Sequence, residues 1–263
     1  IITGINEAHL EHMKSMERTV DTIFELADTM RNKGTLILNT DDARVMTHYK
    51  THLTKKPRVH FYGENTHAVN IVFDAKGSTF TINEQTFTIP FLARYAVGTF
   101  TAAYITAQKL KLTESEIQNG VKKLTPIPHR LEPIQNESAD ILVIDDSYNG
   151  NPAGVREALD VLARFKDKRK IYLTPGLVEL GAASKKIHYT MGSEIAAVAD
   201  LVLLIETSVT PDILRGLQDA GFDRKKIRIC KTAQDASISP TCINGGLLKG
   251  KTRHAYASGQ RVW

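Results

Sequence analysis

Cysteine is scarce in this chain: Cys230 and Cys242 are its only two. Two thiols are too few for a disulfide framework or a zinc site, and none of the nine histidines stands at metal-ligand spacing from them. That usage fits a reducing compartment. Long apolar runs are missing too. No segment approaches the ~20 apolar residues that cross a bilayer, and the first residues lack the charged, apolar, small-residue order of a signal peptide. The expectation is a soluble, cytoplasmic protein with no membrane insertion. No G-x-G-x-x-G opens a helix, which disfavours a dinucleotide site. Charge of one sign is not concentrated either. The net charge of +5 and pI near 9.1 suit anionic ligands, but the basic residues are spread along the chain. The densest groups, Lys166 to Lys170 and Arg224 to Arg228, precede apparent strands and read as solvated loops. With no aromatic-basic platform beside them, nucleic acid is not expected as a partner.

What is present is ample apolar content over 263 residues, enough for one large domain or two ordinary ones. The organising stretch is Ile141-Leu142-Val143-Ile144 followed by Asp145-Asp146-Ser147-Tyr148-Asn149-Gly150-Asn151-Pro152. Four β-favouring apolar residues bounded by acids read as a strand buried on both faces. Asn151 can cap a helix whose first residue is Pro152, where a missing N–H costs nothing. Val155, Ala158, Leu159 and Leu162 then form one apolar stripe. In open α/β sheets ligands gather at the carboxyl ends of strands, and a helix N-terminus favours an anion. Asp145 to Asn151 is therefore a candidate crevice. The plainer alternative is a well-capped turn with two surface acids.

Taken in order, Ile1 to Ile5 read as the end of a strand that starts upstream, and a helix spans about Ser15 to Arg31. A second buried strand, Thr35 to Asn39, ends at Asn39-Thr40-Asp41-Asp42. Short alternating runs from Arg58 to Pro90, the first being Val59 to Tyr62, predict antiparallel β structure. Helices follow over Arg94 to Leu110 and Thr113 to Leu124, the latter opened by a capping box. Leu124-Thr125-Pro126-Ile127-Pro128 cannot continue a helix and is the predicted linker. Beyond it, strands and helices alternate up to Cys230, which implies a mostly parallel sheet with helices on both faces. From Ser237 the periodicity is lost. Gly245 to Thr252 matches G-x-x-x-x-G-K-T, yet no buried strand precedes it, so a chance match in an irregular tail is preferred to a phosphate loop.

Several motifs in joint order resemble the Mur ligases, most closely the MurF type that joins D-alanyl-D-alanine to a UDP-muramoyl-tripeptide. Ile2-Thr3-Gly4-Ile5-Asn6-Glu7-Ala8-His9-Leu10-Glu11 is similar to I-T-N-I-x-x-A-H-L-E, and Leu38-Asn39-Thr40-Asp41-Asp42 to L-N-x-D-D. His129-Arg130-Leu131-Glu132 resembles G-R-L-E, Asp145 to Pro152 resembles D-D-S-Y-N-A-N-P, and Glu179-Leu180-Gly181 with Ser184 and His188 resembles E-L-G-x-x-S-x-x-H. The resemblance implies part of a Mur-ligase central α/β domain over 1–127, a C-terminal Rossmann-like α/β domain over 128–236, and an irregular tail over 237–263. It implies ATP and Mg²⁺ as cofactors, UDP-muramoyl-peptide and D-alanyl-D-alanine as partners, and phosphorylation of a peptide carboxylate before amine attack. His9 would ligate Mg²⁺, Arg130 would reach the ATP phosphates, and Asp146 would face the ribose. Asn149, Asn151 and Asn39 would lie at the nucleotide, and Glu179 and Ser184 near the incoming dipeptide. For Arg130 a plain pairing with Glu132 or Asp145 is the alternative, for Asp146 the satisfaction of turn N–H groups, and for Glu179 a cap or a pair with Lys185.

Three departures qualify the resemblance. The family's G-K-T loop lies before Ile1, so the isolated chain is expected to be inactive. Ile23 stands where the family has its carbamylated lysine, and Leu92 to Thr99, with Tyr95, replaces the adenine-contacting segment. Two alternatives stay open: a non-catalytic binding or assembly module on the same fold, and a related ligase with another amino-acid acceptor.

Overall fold

Leu36, Ile37 and Leu38 are apolar in succession because β1 (Thr35–Asn39) is covered on both faces. The computed structural model describes all residues except 7–9, 32, 54, 64–66, 139, 239–253 and 260–263. The chain divides into two compact units, Ile1–Thr125 and Pro126–Trp263.

In the first unit, α1 (Leu10–Met13) and α2 (Met16–Thr29) precede β1. The Ser15 side chain accepts the Arg18 N–H at 3.3 Å and caps α2, which buries Val20, Phe24 and Ala27. Polar residues on the other face of α2 stay in water, as an amphipathic surface helix requires. Next come α3 (Ala43–His52) and β2 (Arg58–Tyr62), and β2 pairs parallel with β1, Thr35 opposite Arg58. This corrects the expectation that Val59 to Tyr62 begins the antiparallel region. A helical crossover between two strands makes them parallel, and α3 has little apolar pattern to announce it: Val45 is its buried residue.

The antiparallel part is a meander of β3 (Val69–Asp74), β4 (Gly77–Ile82) and β5 (Gln85–Ile89). Asn83 and Glu84 join β4 to β5 with φ of 47° and 65°, the two left-handed residues of a tight hairpin whose twist matches its strands. The helices α4 (Arg94–Lys109) and α5 (Glu114–Val121) close this unit, α5 opening on the capping box of Thr113 and Glu116. Phe80, Phe87, Phe100 and Tyr104 meet at ring separations such as 5.0 Å for Phe87 and Phe100.

The second unit is a six-stranded sheet. Its strands are β6 (Glu132–Asn136), β7 (Ile141–Asp146), β8 (Arg169–Thr174), β9 (Leu201–Ile205), β10 (Ile227–Cys230) and β11 (His254–Gly259). They lie in the order β10-β9-β8-β11-β7-β6, and all neighbours are parallel except the edge pair β6 and β7. The helices are α6 (Pro152–Arg164), α7 (Ser184–Ala196), α8 (Thr210–Asp219) and α9 (Ala233–Ile238). On one face Leu159, Leu162, Tyr172, Met191, Ile195 and Leu217 form the main core. Ile171, Leu201, Leu203 and Ala236 form a smaller one, and all five residues of β9 are buried.

The tail expected to be irregular, 237–263, holds the last two residues of α9 and the whole of β11, and β11 lies between β7 and β8. Its six residues, His254-Ala255-Tyr256-Ala257-Ser258-Gly259, carry no run of branched apolar side chains, so nothing local marks a central strand. The G-x-x-x-x-G-K-T match at Gly245 to Thr252 lies outside the described residues. Among those described, no helix is long and apolar enough to cross a membrane.

Candidate functional site

The carboxyl end of β7 and the start of β6 form a clasp. Glu132 stands opposite Asp145 in the antiparallel register, so the residues before β6 lie against those after β7. The His129 ring donates from Nδ1 to Asp145 Oδ2 at 2.7 Å, and its backbone N–H donates to Glu132 Oε2 at 3.0 Å. The Ser147 N–H donates to Asp145 Oδ1 at 2.9 Å, the Leu131 N–H to Asp146 Oδ1 at 3.3 Å, and the Tyr148 N–H to the His129 carbonyl at 3.2 Å. His129 and Leu131 take left-handed φ values of 62° and 47°. Such angles are unfavourable for residues with a side chain and persist only where surrounding contacts hold them.

Between those two residues, Arg130 carries its guanidinium 4.4 Å from the centroid of the Tyr148 ring. Its Nη1 donates to the Asn149 carbonyl at 3.4 Å. The expected alternative, a pair with Glu132 or Asp145, is not what holds it. The planar cation lies on a ring face, where the quadrupole attracts it without consuming its in-plane donors.

The two adjacent acids differ in character. Burial pushes the Asp145 carboxyl up, but hydrogen bonds from Ser147 and His129 outweigh it, and the group lies below its ordinary value. Burial pushes Asp146 up to about 6, against the Leu131 N–H and the Arg130 charge, with Asp145 adding to the rise. Neighbouring carboxylates with diverging affinities for a proton are a common mark of a working site.

Asn151 caps α6, its Oδ1 accepting the Gly154 N–H at 2.9 Å. Asn149 is exposed beside Arg130. In the first unit, Asn39 donates to the Thr3 carbonyl at 2.7 Å and accepts the Asp41 N–H at 2.9 Å, so both ends of its amide are engaged. Asp42 accepts the N–H groups of Val45 and Ile5, each at 2.9 Å. His9 lies outside the described residues.

Glu179 belongs to the loop between β8 and α7 and is exposed with φ of 59°, and Ser184 is the first residue of α7. Beneath the loop sits His188, fully buried. Its Nε2 accepts the Leu177 N–H at 2.9 Å and its Nδ1 donates to the Ser184 carbonyl at 2.8 Å. One acceptor and one donor define a neutral ring, and burial lowers its proton affinity. Gly176, at φ 91°, passes so close that an added Cβ would stand 2.4 Å from Val209 and 3.0 Å from His188 Nε2.

His129, Glu132 and Asp145 carry ligand atoms all within 4.8 Å of one another. The hydrogen bonds among them account for that closeness. A groove of about 230 Å³ between α6 and α7 has Val155, Leu177 and Met191 as its floor, and on its rim Arg156 and Glu194 pair at 3.7 Å. Sequence reasoning did not single out His129 or the ring of Tyr148. The available signal was a histidine at the glycine position of the G-R-L-E pattern.

Comparison with known proteins agrees in extent and order. A family model described as the Mur ligase middle domain matches residues 1–107, and one described as the Mur ligase, glutamate ligase domain, matches residues 129–238. The UDP-N-acetylmuramoyl-tripeptide--D-alanyl-D-alanine ligase of Haemophilus influenzae is 30% identical over 207 residues, covering 77% of this chain and 45% of that protein. The Bacillus subtilis protein of the same name is 27% identical over 203 residues, covering 74% and 43%. Among solved structures, MurF from Acinetobacter baumannii has a TM-score of 0.82 at 21% identity, over 98% of this chain and 55% of that one. MurF ligase from Thermotoga maritima in complex with ADP has a TM-score of 0.73 at 18% identity, over 97% and 56%. These two likenesses show the fold. The chain spans less than half the length of the curated relatives it matches. Because both domain models match in succession and the acidic turn after β7 carries the family's string, the chain belongs to the Mur ligase family.

Proposed function

We propose that these residues are the later part of the central domain and the ligase domain of a MurF-type, ATP-dependent amide ligase. It joins D-alanyl-D-alanine to a UDP-muramoyl-tripeptide in cytoplasmic peptidoglycan precursor synthesis. The observation that carries this reading is the clasp: Arg130 held on the Tyr148 ring next to a half-buried Asp146, at the carboxyl end of a mostly parallel sheet. Phosphoryl transfer depends chiefly on placing positive charge where negative charge develops, and a stacked guanidinium with donors to spare is built for that. Asp146 is a hydrogen-bond acceptor for ribose hydroxyls. Asn149 lies at the nucleotide edge. Asn151 and Asn39, whose side chains are engaged with backbone, serve the nucleotide by shaping its turns. Glu179, on a loop that His188 supports, and Ser184, at the start of α7, border the incoming dipeptide.

Mg²⁺ supplies charge neutralisation at the phosphates when bound. Its expected ligand, His9, lies outside the described residues. The test is ADP release by the natural full-length protein given ATP, Mg²⁺ and UDP-muramoyl-tripeptide. Release should depend on D-alanyl-D-alanine, and Arg130→Ala should lower kcat by roughly 10²-fold, as loss of a charge-stabilising donor does. Release driven by a different amino acid identifies another acceptor.

Two observations favour the non-catalytic reading. Ile23, at the position of the family's carbamylated lysine, packs against the apolar cluster of Val20, Phe24 and Leu36, and Tyr95 on α4 is 48% exposed. Saturable, Mg²⁺-dependent ATP binding would sink that reading.

A further inference from the structure

We infer that His129 is the positioning residue for Arg130: its imidazole anchors the segment ahead of β6 to Asp145 and thereby sets the guanidinium on the Tyr148 ring. Among the described residues, the hydrogen bond of the Arg130 guanidinium within the clasp is a long one to an uncharged group, from Nη1 to the Asn149 carbonyl at 3.4 Å. Both backbone neighbours sit in the left-handed region, His129 at 62° and Leu131 at 47°, so the arginine rides on a strained turn that needs an external tie. The shortest tie is His129 Nδ1 to Asp145 Oδ2 at 2.7 Å. It is backed by the His129 N–H on Glu132 and by the Tyr148 N–H on the His129 carbonyl. Through that last bond the residue that holds the arginine's backbone also holds the ring on which its side chain rests. The pattern this segment resembles has glycine here, which accepts the turn freely but can tie nothing down. Histidine exchanges backbone ease for a side-chain anchor. The consequence for phosphate binding rests on the nucleotide reading above; the anchor itself does not.

Three variants separate backbone from side chain. His129→Asn keeps a donor the same number of bonds from Cα and tolerates left-handed φ. His129→Gly frees the turn and removes the donor, and His129→Ala removes the donor and keeps the strain. In the 263-residue chain, NMR of the Arg130 side chain reads its place over the Tyr148 ring as an upfield displacement, calibrated by loss of that displacement in Tyr148→Leu. The wild type and His129→Asn should show it, and His129→Gly and His129→Ala should lose it, although glycine relieves the turn. Retention of the displacement in a folded His129→Gly chain, or its loss in a folded His129→Asn chain, overturns the inference. In the full-length protein, His129→Gly should raise KM for ATP roughly tenfold, the worth of one charge-assisted contact, and His129→Asn should restore it. A displacement that behaves as expected in a protein binding no ATP leaves the anchor standing and removes the ligase reading.

Discussion

Asp146 is a carboxyl group kept where ionisation is disfavoured, and that has a thermodynamic signature. Its proton affinity in the folded state is raised by burial to about 6. The stability it contributes is therefore complete below its unfolded value of 3.8 and is lost as pH rises through 6. Asp146→Asn keeps an acceptor for the Leu131 N–H and removes the cost. It should stabilise the chain by on the order of 1–2 kcal/mol at pH 8 and by nothing near pH 3.5, measured by urea unfolding at the two pH values. The same change should reduce nucleotide affinity. His188 has the opposite dependence. Its folded-state affinity for a proton is lowered by burial, so its contribution is complete above the unfolded value near 6.5 and falls away as pH drops below it. Protonation removes the acceptor of the Leu177 N–H. Acid lability below about pH 6.5 should be absent from His188→Asn, which should itself cost roughly 2–3 kcal/mol at pH 7.5. Asp146 was legible from the acidic turn, and His188 was legible as a motif position without a role. His129 was not, because a histidine ahead of an arginine carries no local signal until antiparallel pairing brings it to Asp145.

At the scale of elements, α7 and α8 pack at very short range. A Cβ added to Gly192 would stand 2.2 Å from the Ile213 carbonyl, and one added to Gly216 would stand 2.0 Å from the Tyr189 carbonyl. The two helices therefore meet backbone to backbone, and the Ser193 hydroxyl reaches the Gly216 carbonyl at 3.3 Å. Gly216→Ala must push the helices apart. It should destabilise the second unit by roughly 3 kcal/mol, whereas alanine at Gly120, which meets nothing within 4 Å, should be neutral or stabilising. Thermal unfolding of both variants checks the contrast. The helices α2 and α6, each with a clear stripe, and α5, with its capping box, were readable to within a few residues, since caps and i, i+3, i+4 spacing are local. The short α3 was missed because ten residues with a single buried side chain make no stripe. Missing it misassigned β2, whose parallel partner depends on that crossover.

At the scale of the molecule, the second unit depends on a strand that arrives last. β11 pairs with β7 on one side and β8 on the other, so a chain ending after Ile238 leaves two central strands without their shared neighbour. Unsatisfied ladder groups inside a sheet are costly and invite aggregation. We expect the 1–238 chain to lose the cooperative transition of its second unit and to be cut rapidly within residues 128–238 by protease, while fragments of Ile1–Thr125 persist. Equal protease resistance of the two chains would contradict this. The organisation into two units was legible from the proline-containing stretch between α5 and β6. The position of β11 was not, because its residues look like tail.

By itself the sequence determined the helices with caps or stripes, the strands β1 and β7, and the acidic turn that follows β7, since each is written within a dozen neighbouring residues. Tertiary structure alone decided that β2 runs parallel to β1, that β11 enters the middle of the sheet, and that His129 closes on Asp145 beside Arg130. Those contacts join residues far apart in the chain. Their energy comes from a shared core and from hydrogen bonds satisfied across strands, and neither leaves a mark on the sequence around any one of the partners.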